Sequence, residues 1–282
     1  MTGYTTLIDA QTLAQHYQDP DWVVIDCRFD LTNPDWGYAS YLQEHIPGAA
    51  FADLEKDLSG KITAQTGRHP LPVEAQFIGV ASRLGIDSSK QVVVYDTNVG
   101  EIASRLWWML GLFNHPLVAL LDGGFTQWKK LDLPVKSGVE THKPTQFNGT
   151  PNWDGFATSV QVETYIHSPY YRLIDSRAHE RFTGEVEPLH PVAGHIPSAG
   201  NLPYMNNIDP QGKFKPAEEI RKNFAHLMQN VTPGNVVIYC GSGVTGCLNI
   251  LASKVAGIEG PRLYAGSWSE WIRDPRREIA KG

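Results

Sequence analysis

The chain has 282 residues, enough for two domains of about 100–150 residues each or for one large one. With 41% hydrophobic and 19% charged residues and a net charge of −6, it reads as a globular protein without the basic footprint of a nucleic-acid or anionic-membrane binder. No apolar run approaches the roughly 20 residues that span a bilayer, and Met1-Thr2-Gly3-Tyr4-Thr5-Thr6 lacks the basic and apolar regions of a signal peptide, so a cytoplasmic location is expected.

In chain order, Val23-Val24-Ile25-Asp26-Cys27-Arg28 reads as a buried strand ending in polar residues, followed by His45-Ile46-Pro47-Gly48-Ala49. A helix is predicted over 74–84, a second strand at Val92-Val93-Val94-Tyr95-Asp96, a helix over 103–110, and a turn at Gly123-Gly124. Residues 136–155 are rich in Thr, Pro, Gly and Asn, have no periodicity, and read as a linker. The same series then returns. Arg172-Leu173-Ile174-Asp175-Ser176-Arg177 is followed by His195-Ile196-Pro197-Ser198-Ala199. A helix over 216–229, the strand Val236-Val237-Ile238-Tyr239 and a helix over 246–256 come next. Finally, Leu121-Asp122-Gly123-Gly124-Phe125-Thr126-Gln127-Trp128 finds its counterpart in Tyr264-Ala265-Gly266-Ser267-Trp268-Ser269-Glu270-Trp271. Three matches in one order define an internal duplication. Strands that are apolar throughout, alternating with helices, predict two α/β domains, each a mainly parallel sheet flanked by helices on both faces. The boundaries expected are 1–135 and 156–282.

The three cysteines, at 27, 240 and 247, are too few for a disulfide framework and lack zinc-site spacing; one of them is a candidate nucleophile. Cys240 sits between a predicted strand and a predicted helix, in Cys240-Gly241-Ser242-Gly243-Val244-Thr245. Glycines there let successive N–H groups converge on one point, and the helix dipole adds to the same field. Both stabilise a thiolate, a persulfide or a transferring sulfite. Phosphatase chemistry is disfavoured because the sixth residue after Cys240 is Gly246 rather than an arginine. Gly241, Gly243 and Gly246 also match a dinucleotide fingerprint, but too little chain follows to build a dinucleotide-binding half. A structural cysteine at a tight turn is the plain alternative. In the first half the position of Cys240 is held by Asp96, followed by Thr97-Asn98-Val99-Gly100, so that half has the scaffold without the nucleophile.

Taken together, Asp175-Ser176-Arg177, Gly194-His195-Ile196-Pro197, the Cys240 loop and Gly266-Ser267-Trp268-Ser269-Glu270-Trp271 resemble the tandem-domain rhodanese family over the whole chain. The resemblance implies a sulfurtransferase whose cysteine becomes a persulfide and passes sulfur to a thiol, cyanide or thioredoxin-type acceptor, with no metal and no organic cofactor. The neutral loop, with Gly241 and Gly243 flanking Ser242, is similar to the mercaptopyruvate branch rather than to thiosulfate-specific members. The resemblance further implies a proton relay of Ser242, His69 and Glu55, the last two supplied by the other domain. It implies substrate binding by Arg181, by the loop residues Gly241, Gly243, Val244 and Thr245, and by residue 190, which is His190 where a second arginine is common. Arg177 is a candidate substrate ligand or a scaffold ion pair. Thiosulfate is the alternative donor, and a non-catalytic persulfide-binding module is the alternative function. Cys27 and Cys247 read as structural.

Overall fold

The computed structural model describes residues 3–282. They form two compact units, each built on one parallel sheet. The first unit runs to Gly60 and takes in Pro72–Asn152 and Pro210–Phe214; the second comprises Lys61–Leu71, Trp153–Asp209 and Lys215–Gly282.

In the first unit the strands are β1 (Leu7–Ile8), β2 (Trp22–Asp26), β3 (Ala50–Phe51), β4 (Gln91–Tyr95) and β5 (Val118–Leu121), with helices α1 (Ala10–His16), α2 (Asp35–Gln43), α3 (Glu74–Arg83), α4 (Ala103–Leu112) and α5 (Gly124–Lys130). The strand order is β1-β5-β4-β2-β3. Every residue of β4 is buried, as expected of a Val-rich strand covered on both faces.

The second unit has β6 (Arg172–Asp175), β7 (Gly200–Asn201), β8 (Val236–Tyr239) and β9 (Arg262–Leu263), in the order β7-β6-β8-β9. Its helices are α6 (Ser159–Tyr165), α7 (His179–Thr183), α8 (Ala217–Met228), α9 (Thr245–Val255) and α10 (Ser267–Trp271). This order is that of β3-β2-β4-β5, and a parallel bridge from Phe156 to Leu263 takes the place of β1 beside β5. Register repeats as well: Asp26 pairs with Tyr95, and Asp175 with Tyr239. The duplication read from the sequence is therefore one of topology and register.

Conserved geometry extends to the polar network at the strand ends. Arg28 grips Asp26 with Nη2 to Oδ2 at 2.6 Å, and its Nη2 also donates to the Glu44 carbonyl at 2.6 Å. Arg177 does the same to Asp175 at 2.6 Å and to the Gly194 carbonyl at 2.7 Å. The guanidiniums lie over Phe125 and Trp268, 4.4 and 4.9 Å from the ring centroids. His45 and His195 each place Nδ1 on a backbone carbonyl, of Tyr41 and Phe182, at 2.7 and 2.8 Å.

Two segments depart from the expected boundaries. Residues 61–71 belong to the second unit although they lie in the first half of the sequence. Residues 136–152 belong to the first unit rather than to a free linker. Phe147 is buried against Phe77 and Phe113, the Tyr41 hydroxyl accepts the Glu140 N–H at 2.8 Å, and Lys136 bridges His45. Thr-, Pro- and Gly-rich composition made this stretch look like a tether; one buried aromatic and two backbone ties anchor it.

Candidate active site

The chain leaves β8 at Tyr239 and enters α9 at Thr245, so the intervening loop lies at the carboxyl end of a central strand and under a helix N-terminus. Cys240 begins this loop and is 1% exposed. Gly243 adopts φ +76°, and a Cβ there would sit 2.1 Å from the Ala265 carbonyl oxygen, so both the backbone sign and the space require glycine. The turn this allows brings the Gly243 N–H to 3.1 Å from the Cys240 Sγ. Burial alone pushes the Cys240 thiol up, but the Thr245 hydroxyl and the N–H groups of Ser242, Gly246 and Gly243 outweigh it and hold the group below the ordinary thiol value. Val244, 5% exposed, is the residue before the helix.

Cys27 supplies the contrast. It is equally buried, but burial together with the charges of Asp26, Asp96 and Asp57 pushes its thiol well above the ordinary value. Cys247 lies on α9 with its Sγ 3.4 Å from the Gly243 carbonyl.

The first unit shows what such a loop is built to hold. There Asp96 stands where Cys240 stands, and its carboxylate accepts N–H bonds from Asn98 (3.2 Å), Gly100 (2.9 Å), Ile102 (2.8 Å) and Ala103 (3.1 Å). Burial lifts its pKa above the usual carboxylate value, and these four amides counter the lift. The turn is an anion cradle, filled in one unit by a carboxylate of the chain itself. Both cradles are tied in the same way to a helix further along the chain, α5 in the first unit and α10 in the second. Phe125 and Thr126 donate to the carbonyls of Asp96 and Thr97; Trp268 and Ser269 donate to those of Cys240 and Gly241.

Ser242 and His69 come together: the Ser242 Oγ lies 2.8 Å from His69 Nδ1, with the residues 5% and 2% exposed. His69 reaches this position on the 61–71 segment, which the Ser269 Oγ also holds by accepting the Arg68 N–H at 3.0 Å. Glu55 belongs to the first unit. It is exposed, on a turn whose N–H groups at Glu55 and Lys56 are capped by Asp53 at 2.9 Å.

Beside Gly241 stand Arg181 and His190. A Cβ on Gly241 would meet His190 Cε1 at 3.3 Å and Arg181 Nη2 at 3.5 Å, so these side chains wall the cysteine loop. Both are organised by Glu187, a buried carboxylate that takes Arg181 Nη2 at 2.8 Å and Arg177 Nη1 at 3.2 Å. His190 Nδ1 lies 3.2 Å from Arg181 Nη2. Burial, with Arg68 and Arg181 nearby, overrides the pull of Glu187 and lowers the His190 pKa to about 4, so the ring is neutral at physiological pH. Arg181 Nε and His190 Nε2 are buried with no hydrogen-bonding partner among the described residues. Buried polar atoms of this kind are costly unless a ligand group meets them.

Of the two readings of Arg177, the scaffold ion pair is the one its bonds fit. Its side chain is 1% exposed and its donors are spent on Asp175, Glu187 and the Gly194 carbonyl. Arg28 repeats most of this network in the unit that lacks the cysteine, so the arginine serves the scaffold rather than a substrate carboxylate. Sequence reasoning missed Glu187, which has no motif around it. It also missed the hydroxyl of Ser267, which sits inside a segment read only as a repeat and a family signature. That hydroxyl accepts the Cys240 N–H at 3.1 Å.

Residues 9–131 and 158–274 each match the rhodanese-like domain family. The chain is 44% identical over 278 residues to a probable 3-mercaptopyruvate sulfurtransferase of Pseudomonas aeruginosa, covering 98% of each. It is 36% identical over 281 residues to a putative thiosulfate sulfurtransferase of Mycobacterium tuberculosis, covering 98% of this chain and 97% of that one. Its fold superposes on the 3-mercaptopyruvate sulfurtransferase from Leishmania major with a TM-score of 0.84 at 32% identity, covering 96% of this chain and 76% of that chain.

Proposed function

Because the chain belongs to the rhodanese-like domain family, with two copies in tandem, we propose that it is a sulfurtransferase that draws a sulfane sulfur from 3-mercaptopyruvate onto Cys240 and passes it to a thiol, cyanide or thioredoxin-type acceptor. The observation that carries this reading is the Cys240 sulfur, which accepts the Gly243 N–H at 3.1 Å in a buried cradle at a helix start.

The Cys240 thiolate attacks the sulfur of the donor. An S–S bond forms and the C–S bond breaks. Its electron pair passes to C3 as an enolate conjugated with the 2-oxo group. The proton of the donor thiol, relayed through Ser242 and His69, quenches the enolate to pyruvate and leaves an anionic persulfide in the cradle. An acceptor nucleophile then attacks the outer sulfur, and the S–S pair returns to Cys240 as thiolate. Arg181 Nε offers a donor for an oxygen of the substrate, with the unpartnered His190 Nε2 as a second buried polar atom. Since Glu187 already offsets Arg181, a monoanionic donor suits the site better than a dianion.

Thiosulfate is the second reading, favoured by the thiosulfate sulfurtransferase name of the M. tuberculosis relative. Mass spectrometry of the Cys240 peptide after incubation with each donor tests both. Mercaptopyruvate is expected to add about 32 Da as a persulfide and to show the higher kcat/KM. Failure of both donors to load Cys240 sinks the enzyme reading; a thiosulfate preference overturns the choice of donor.

A further inference from the structure

On the reading that Cys240 carries the transferred sulfur, we propose that Ser267 is a positioning residue for it: its hydroxyl fixes the Cys240 backbone and becomes a hydrogen-bond donor to the sulfur when that sulfur is negatively charged.

Ser267 sits at φ +54°, a left-handed conformation that a residue with a Cβ adopts only under strain. Its counterpart in the other unit is Gly124, at φ +57°. The fold thus demands this backbone at both places, and in the first unit it is met by the residue that meets it without strain. A second left-handed serine shows that the substitution alone is not informative. Ser198, at φ +62°, stands where the first unit has Gly48 at φ +81°, but Ser198 is exposed and its hydroxyl faces water. Ser267 is 0% exposed.

What the buried hydroxyl meets is the cysteine. Its oxygen accepts the Cys240 N–H at 3.1 Å and lies 4.0 Å from the Cys240 Sγ. Its one proton has a nearer acceptor in the Tyr264 carbonyl, at 2.9 Å. With the sulfur uncharged, the proton rests on that carbonyl. Charge on the sulfur makes it the stronger acceptor, and rotation about the Cβ–Oγ bond turns the proton toward it without moving a heavy atom of the backbone. The two units differ consistently here. Where the cradle holds Asp96, satisfied by four backbone amides, the helix start is glycine; where it holds a sulfur, the helix start carries a hydroxyl.

The test is the pH profile of Cys240 alkylation by iodoacetamide, read on the Cys240 peptide, in Ser267→Gly and Ser267→Ala. The glycine variant removes both hydroxyl and strain; the alanine variant removes the hydroxyl alone. Both are expected to raise the alkylation midpoint by about 0.5–1 pH unit, slowing the reaction below the midpoint about three- to tenfold. Thermal unfolding is expected to occur at an equal or higher temperature for Ser267→Gly and at a lower one for Ser267→Ala. An unchanged midpoint in both variants overturns the proposal. So does a shift confined to Ser267→Ala, which would trace the effect to strain rather than to the hydroxyl. The assay needs no sulfur donor, so its failure is distinct from failure of the wild-type chain to load sulfur.

Discussion

The Nδ1 of His69 and the Oγ of Ser242 lie 2.8 Å apart in the interior of the second unit, although 173 positions separate them in sequence. On the proposed mechanism this buried contact moves protons rather than holding the loop, whose shape comes from Gly243 and the tie to α10. His69→Asn and Ser242→Ala are therefore each expected to lower kcat/KM for mercaptopyruvate on the order of 100-fold. The double variant should be little worse than either single one, because the two act as a unit. Steady-state kinetics checks this, alongside an alkylation assay in which Cys240 stays reactive. Multiplicative losses would show that the residues do not share one proton path.

Arg28 and Arg177 hold equivalent buried aspartates with the same 2.6 Å contact. Removing one partner of such a pair strands a charge. Arg28→Gln and Arg177→Gln are each expected to destabilise their unit by about 3–5 kcal/mol in urea unfolding. Arg181, 18% exposed at the loop wall, should behave differently. Arg181→Gln is expected to raise KM for the donor with a much smaller change in unfolding. Equal kinetic defects in Arg177→Gln and Arg181→Gln, at unchanged stability, would return Arg177 to the substrate.

The burial of His190 makes acid sensitivity a property of the site. Its folded pKa, about 4, lies below the ordinary 6.5, so the unfolded chain binds the extra proton first. Stability from this residue is complete above pH 6.5 and is lost as pH falls toward 4, by on the order of 2–3 kcal/mol. His190→Gln should flatten the decline between pH 6.5 and 4 relative to the wild type, measured by urea unfolding at several pH values. Parallel curves for the two proteins would mean that His190 does not titrate as buried.

The duplicated α/β plan was legible because strand composition and repeated motifs are local signals. The helix read as 103–110 runs on to Leu112, and the one read as 246–256 is Thr245–Val255. Cys240 was legible because a strand, two glycines and a helix start fall in one short window. What sequence did not reveal depends on chain crossings. The 61–71 segment carries His69 into the second unit, and no composition shift marks that path. Glu187 organises Arg181 and His190 from a surface-like stretch with no periodic pattern. Ser267 was hidden by its motif, since a backbone angle cannot be read from a residue name. The scaffold reading of Arg177 gained weight only from the structure, where Arg28 makes the same aspartate and carbonyl bonds in the unit whose cradle holds Asp96.

The cradle around Asp96 also sets a stoichiometry. Its amides are already occupied by a carboxylate that cannot leave, so the first unit has no vacancy for a bound sulfur anion. If Cys240 carries the sulfur as proposed, a polypeptide with two copies of the same turn has one cradle open to it. On the proposed chemistry each turnover must empty Cys240 before the next can begin, so that the chain would work as a single-berth carrier rather than a store.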